Sequence, residues 1–192
     1  ISACLVGSEM CIRDSNWNDP LVWLAAAHIT FNPMFWNISA RLEYKTKLLS
    51  RIFGSAKNAC YVLAAVTFLI GLTRNAVVIV AVTRQLSLEA YLSTSQIYYM
   101  QALGVLCIIG GLTLAISSMI RLGLTGTYLG DYFGMLKSSR VTAFPYNIVD
   151  NPMYTGSTIA FLGLALNRLS PIGFLLTIYT VSYTHLTLPT IY

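Results

Sequence analysis

Residues 90–120 contain no charged side chain, and an uninterrupted run of that length leaves few options for a water-soluble fold. About 20 apolar residues cross the hydrocarbon core of a bilayer as a helix, because a helix satisfies its backbone N–H and C=O groups within its own segment. Further charge-free runs occupy residues 21–40, 58–73 and 169–192. The run at 58–73 reaches spanning length only by borrowing from Phe53 onward or past Arg74. Of the 192 residues, 56% are hydrophobic and 10% charged, with a mean hydropathy of +0.65, which is too few charges for the surface of a soluble domain. The expected architecture is all-α, an integral membrane bundle of about four membrane-embedded helices.

The first segment carries His28, Asn32 and Pro33 near its middle. Proline removes a backbone donor and should kink or break the helix there, so the segment is expected either to span or to re-enter. The second helix is expected from Phe53 to Thr73, with Arg74 snorkelling to the interface and residues 76–82 forming a short interfacial run. Tyr91, Tyr98 and Tyr99 suit the headgroup zone and leave 101–119 as the spanning part of the third. Gly126, Gly130 and Gly134 fall four apart, as on one helix face that another backbone could approach. Residues 140–154, with Pro145, Asn147, Asp150, Asn151 and Pro152, read as a surface connection. From Gly156 to Thr180, Arg168 and Pro171 divide a short helix from a final spanning one, with the turn at Ser170-Pro171.

The formal net charge is +5, and Arg41, Lys45, Lys47, Arg51 and Lys57 stand against Glu43 alone. Such a cluster beside an apolar helix is drawn to anionic headgroups and to the cytosolic face. Nucleic acid is not an expected partner. Cys4, Cys11, Cys60 and Cys107 lack metal-ligand spacing and any disulfide framework. There is no P-loop and no G-x-G-x-x-G after a strand, which excludes a soluble dinucleotide-type site.

Both ends look foreign. Residues 1–15, ISACLVGSEMCIRDS, lack the charged and apolar regions of a signal peptide and resemble the translation of a sequencing adaptor. Residues 181–192, VSYTHLTLPTIY, resemble the same from the opposite end. The expected organisation is one membrane domain over residues 16–180 between two adaptor-derived segments.

Asp131, Tyr132, Asp150, Asn151 and Tyr154 cluster near the ends of otherwise apolar helices. Ionisable groups are costly at membrane depth, which makes them functional candidates. The plainer alternative leaves Asp131 and Asp150 solvated among headgroups, paired with Lys137 or Arg140.

Three blocks carry a resemblance that composition does not: ITFNPMFWNISARLEYKTKLLSRIFGS (29–55), GTYLGDYFGMLKSSRVTAFPYNIVDNPMYTGST (126–158) and SPIGFLLT (170–177). They are similar, nearly position by position, to the phosphatidylethanolamine N-methyltransferase family, and the likeness extends from about His28 to Ile178. It implies a four-helix membrane protein that uses S-adenosylmethionine to methylate phosphatidylethanolamine stepwise to phosphatidylcholine. The implied location is the endoplasmic reticulum and mitochondria-associated membranes. A Gly-x-Gly attributed to the family's cofactor site falls on Ile109-Gly110-Gly111: Gly111 matches, Ile109 replaces the first glycine, and Gly110 substitutes if the register shifts. The family's acidic pair falls near Ile191 and Tyr192, neither of them acidic. Asn151-Pro152-Met153-Tyr154 resembles an Asn/His-Pro-x-Tyr element found also in isoprenylcysteine carboxyl methyltransferases. It implies a cofactor pocket shaped by Asn151, Pro152 and Tyr154, with Gly156 permitting close approach.

Methyl transfer from a sulfonium to an amine is an in-line displacement, so the protein must hold donor and acceptor together and exclude water. A lipid ethanolamine is protonated at neutral pH, and Asp131 first, Asp150 second, are the expected proton acceptors. Tyr128, Tyr132, Tyr146 and Tyr154 are candidate walls around the methylated cation, although such tyrosines also serve as belt or packing. Two alternatives stand beside this expectation: a carboxyl methyltransferase of prenylated cysteine, and a scaffold that has lost its cofactor. The expected partners are a phospholipid and the bilayer, and assembly into a homo-oligomer stays open. Orientation carries an inconsistency, because a cytosolic basic cluster followed by three crossings puts the C-terminus away from the cytosolic cofactor.

Overall fold

The computed structural model describes residues 16–135 and 141–187, and every regular element among them is helical. Helix α1, Pro20–Thr46, starts where the Asp19 carboxylate accepts the Leu21 N–H at 2.9 Å and proline fills the first turn, a position that needs no donor. It runs unbroken past Pro33, so the expected break is absent. Proline removes only one hydrogen bond, and Pro33 lies buried among its neighbours. Lys47, in left-handed conformation at φ 53°, ends α1 and leads into the short α2, Leu48–Ile52.

Helix α3, Ala56–Arg84, is capped by the Ser55 hydroxyl, which accepts from the Asn58 N–H at 3.1 Å. Its 29 residues correspond to about 43 Å of helix, ample for a bilayer. Arg74 therefore does not mark a helix end, and residues 76–82 are not an interfacial piece. They continue the same apolar helix. Helix α4, Thr94–Thr127, opens on a reciprocal cap between Ser93 and Gln96, is longer than residues 101–119, and is interrupted by a kink at Gly123, where φ is 67°. Tyr98 and Tyr99, in its first turns, are 68% and 77% exposed, as belt residues would be. Both α3 and α4 are long and apolar enough to cross a membrane. Outward-facing Leu69, Leu106 and Ile120 give the bundle an apolar surface.

Gly126, Gly130 and Gly134 do not share a helix face. Helix α4 stops at Thr127, Leu129 turns to φ 59°, and the 3-10 turn Gly130–Phe133 closes with Gly134 at φ 81°. The close helix seam lies instead between α4 and α5, Pro152–Asn167. A Cβ on Gly104 would meet the Asn167 N at 2.6 Å, and one on Gly163 would meet the Gly104 O at 2.6 Å. Two helical turns further along α4, Gly111 lies equally close to Gly156 and Ala160. After α5, Leu169 at φ 48° makes the turn and the Ser170 hydroxyl accepts from the Gly173 N–H at 3.2 Å. Helix α6, Pro171–Thr187, follows as expected at Pro171 and continues past Val181.

Contacts between the helix ends fix which ends meet. At one end Gln85 reaches Asp19 at 3.5 Å and the Leu88 N–H donates to the Leu169 carbonyl at 2.9 Å. At the other, Lys47 Nζ donates to the Tyr132 carbonyl at 3.3 Å. Tyr179 meets Thr30 at 2.6 Å near mid-bundle, so α6 heads back towards the end that carries the basic cluster. Four helices, α3 to α6, thus follow that cluster rather than three. The core joins Val22, Ala25 and Ile29 of α1 to Val78, Ala81 and Val82 of α3 and to Ile172 and Leu176 of α6.

Candidate active site

A cavity of about 290 Å³ lies between α1, α3, α4 and α5, with Thr180 of α6 at its edge, close to the size at which small-molecule sites begin. Its apolar walls are Trp36, Leu63, Phe68, Leu72, Leu112, Ile116 and Met119, with Tyr128 and Leu129 from the turn after α4. Asn32, Thr67, Arg74, Asn75, Thr127, Tyr154 and Ser157 place polar groups in the same wall. Three of these are incompletely satisfied: Asn32 Oδ1, Thr67 Oγ1 and Thr127 Oγ1 are buried without a hydrogen-bond partner. A buried polar atom left unpaired costs roughly 1–3 kcal/mol, so this wall is built for something polar.

Among the described residues, Arg74 is the one cation in that wall. Its Nε and Nη2 donate to Asn75 Oδ1 at 3.2 and 3.0 Å, and its guanidinium stands 5.4 Å from the centre of the Phe161 ring. Tyr154 lies within its electrostatic reach.

Of the residues singled out from the sequence, Tyr128 and Tyr154 line the cavity, and Met153 of the Asn-Pro-x-Tyr element lies beside them. Pro152 is buried at the first turn of α5, while Asn151 is exposed and makes no side-chain cap. Gly111 and Gly156 face each other across the seam, which brings the Gly-x-Gly and Asn-Pro-x-Tyr elements together one residue from the wall residue Leu112. Gly110 points away, with nothing within 4 Å of where a Cβ would be. Tyr132 packs edge-on against Tyr44 at 6.0 Å and Tyr146 shares a 2.6 Å hydrogen bond with Ser118, so neither is a wall residue. Asp131 and Asp150 are exposed and also stand outside the wall. Asp131 is two residues from Leu129, within electrostatic reach of Tyr132 and Cys60. Lys137, Arg140, Ile191 and Tyr192 lie outside the described residues.

Asn32, Thr67, Arg74, Asn75 and Thr127 were not singled out for the site. The available signal was their spacing: Thr67, Gly71, Arg74 and Asn75 fall at helical intervals of three and four, a polar stripe on an otherwise apolar helix. That stripe shows only once α3 is known to continue beyond residue 73.

Apolar helices enclosing a polar-lined cavity, with Met153 and Tyr154 of the Asn-Pro-x-Tyr element in its wall, define a membrane-type helical bundle with a candidate small-molecule site. Comparison with known proteins specifies its class. The phospholipid methyltransferase family model matches residues 99–191. The chain is 46% identical over 160 residues to the phosphatidylethanolamine N-methyltransferase of Rattus norvegicus, covering 83% of this chain and 78% of the relative. It is 47% identical over 160 residues to the Homo sapiens protein of the same name, with the same coverage. It is also 47% identical over 150 residues to a phosphatidyl-N-methylethanolamine N-methyltransferase of Saccharomyces cerevisiae, covering 78% of this chain and 71% of that one. No solved structure matches the chain. The chain belongs to the phospholipid methyltransferase family.

Proposed function

We propose that this chain transfers methyl groups from S-adenosylmethionine to the amine of phosphatidylethanolamine and of its mono- and dimethyl derivatives, giving phosphatidylcholine. The observation that carries the proposal is the cavity whose polar wall, with three unpaired oxygen atoms, is enclosed by apolar helices. The names of the relatives include both the first acceptor and a methylated one, which supports a site that accepts the series.

The polar wall suits the methyl donor, because Asn32, Thr67 and Thr127 have hydrogen-bonding capacity to spare. When bound, the donor supplies an electrophilic methyl group on a positively charged sulfur. Tyr154, in the cavity wall, would hold it, with Pro152 and the close contact of Gly111 and Gly156 setting the position of the first turns of α5. Aromatic faces at Trp36, Tyr128 and Tyr154 favour diffuse cations, and cation–π attraction amounts to about 2 kcal/mol when desolvated. The same faces would retain a trimethylated headgroup that no longer donates a hydrogen bond. The apolar walls limit competing water.

Before each transfer to an amine that arrives protonated, a proton must leave the nitrogen. Asp131 is the first candidate to receive it, through water at the basic end, because it follows the wall residues Tyr128 and Leu129; Asp150 is the second. Asp131→Asn is expected to lower kcat about 100-fold at neutral pH, the lower range for a proton-transfer group, and to recover part of the loss as pH rises. A kcat within twofold of the original across that range would remove Asp131 from the mechanism, and the same titration applied to Asp150→Asn decides the second candidate.

We further infer that the basic end faces the cytosol, since it carries Arg41, Lys45, Lys47, Arg51 and Lys57, and that the membrane is the endoplasmic reticulum with its mitochondrial contacts. The cavity then has Tyr128 near the face from which a soluble donor arrives. The catalytic domain is proposed to lie within residues 16–180.

The direct test is incorporation of labelled methyl groups by the full chain reconstituted in vesicles of phosphatidylethanolamine. Products with one, two and three methyl groups are expected. Methylation of a prenylated cysteine with none of the lipid would reverse the assignment.

A further inference from the structure

Arg74 lies well inside a membrane-crossing helix, yet among the described residues its hydrogen bonds go to one neutral amide oxygen and no carboxylate stands within ion-pair range. A guanidinium has five N–H donors in a planar fork. Asn75 takes one from Nε and one from Nη2, which leaves both Nη1 donors and one on Nη2 for the cavity that Arg74 lines. Phe161 covers one face of the group and Tyr154 adjoins it, so its orientation is held. Placing an uncompensated cation at such depth is costly, and a neutral amide does not neutralise it. The free edge has the geometry of a two-point grip on an oxyanion.

We propose that Arg74, positioned by Asn75 and Phe161, grips an oxyanion of the ligand in this cavity, the phosphodiester of the phospholipid acceptor. Phe68, Leu72, Leu112 and Ile116 line the same cavity and are 45%, 48%, 48% and 53% exposed, so its wall continues into the apolar outer surface where acyl chains lie. An acceptor held by its phosphate leaves its amine free to move towards the donor at each round, which a grip on the amine would not. The carboxylate of the methyl donor is the other oxyanion with the same chemistry. This inference rests on methyl transfer in the same cavity.

The experiment compares the full chain with Arg74→Leu and Arg74→Lys in nanodiscs, reading four quantities: acceptor KM, donor dissociation constant, binding of labelled phosphatidylethanolamine without donor, and thermal midpoint. Arg74→Leu is expected to raise the acceptor KM about 30-fold or more, with lipid binding falling in parallel. The donor constant is expected to stay within about twofold, and Arg74→Lys to fall between, keeping charge without the fork. The thermal midpoint of Arg74→Leu should rise, because an unpaired cation has been replaced by an apolar group. A purely structural arginine would lower it. If the donor constant rises while the acceptor KM stands still, the oxyanion grip holds and its occupant is the donor. Unchanged acceptor and donor constants in both variants, or a lowered midpoint with unchanged lipid binding, overturn the proposal. Should the original chain transfer no methyl group, methyl transfer falls, and the lipid-binding comparison still decides the role of Arg74.

Discussion

Gly111→Val is expected to unfold the α4–α5 seam and abolish methyl transfer. A Cβ at this position would collide with the Gly156 carbonyl oxygen and come within 2.6 Å of the Ala160 nitrogen. Both are backbone atoms, which cannot rotate aside as a side chain can. The helices would have to separate along a seam that Gly104 and Gly163 also hold close, and Tyr154, two residues before Gly156, would move with them. Overpacking costs about 1–3 kcal/mol where side chains can yield, so at least about 3 kcal/mol is expected here. Thermal melting in nanodiscs measures it. Gly110→Val makes the control, because nothing lies within 4 Å of its Cβ position. Its melting midpoint should stay close to the original. If Gly110→Val stays folded and loses donor binding, Gly110 belongs to the donor site. If Gly111→Val melts normally, the seam is not as described.

The two glycines show what a sequence can and cannot reveal. The Gly-x-Gly likeness drew attention to residues 109–111, but a likeness does not say which glycine packs and which is open. The relevant pattern was the seven-residue spacing Gly104–Gly111 on one helix and Gly156–Gly163 on the other, two turns apart on each. Each small residue makes sense only with its partner. The evenly spaced Gly126, Gly130 and Gly134 were more conspicuous, yet they fall where the helix ends: Gly126 in its last turn, Gly130 close against Thr125, and Gly134 in a left-handed turn.

The membrane class and the helical hairpin after Pro152 were legible because hydropathy and proline act locally. Arg74 was misplaced for a related reason. A charge at the edge of an apolar run reads as a boundary when no cavity is known, and the run beyond it then looks too short to matter. With Asn32 from α1 and Tyr154 from α5 brought to the same wall, Arg74 becomes an inward-facing group within one long helix. Asp131 and Asp150 drew notice for the opposite reason: acidic residues are rare in this chain, but rarity does not place a side chain inside. A cavity formed by five helices from distant parts of the sequence has no local signature.

Glu43→Ala carries the other large effect, at the basic end of the bundle. Glu43 is 0% exposed in the last turns of α1, and its carboxylate accepts the Leu49 N–H at 2.8 Å, the Ser50 N–H at 3.2 Å and the Ser50 hydroxyl. Those backbone donors begin α2, whose first turn has no donors' partners of its own. A negative charge there also meets the positive end of the helix. Alanine would leave three donors without their acceptor, at a cost of about 3 kcal/mol or more, while glutamine, with an oxygen still able to accept, should lose less. The damage should spread in one direction. Lys47, at the joint between α1 and α2, donates to the Tyr132 carbonyl in the turn that follows the cavity residues Tyr128 and Leu129. Limited proteolysis should therefore cut Glu43→Ala faster between residues 46 and 55, with a weaker hold on the turn at 128–134, and a thermal midpoint below that of Glu43→Gln. Equal midpoints and equal cleavage in both variants would mean that the buried carboxylate does not organise this end.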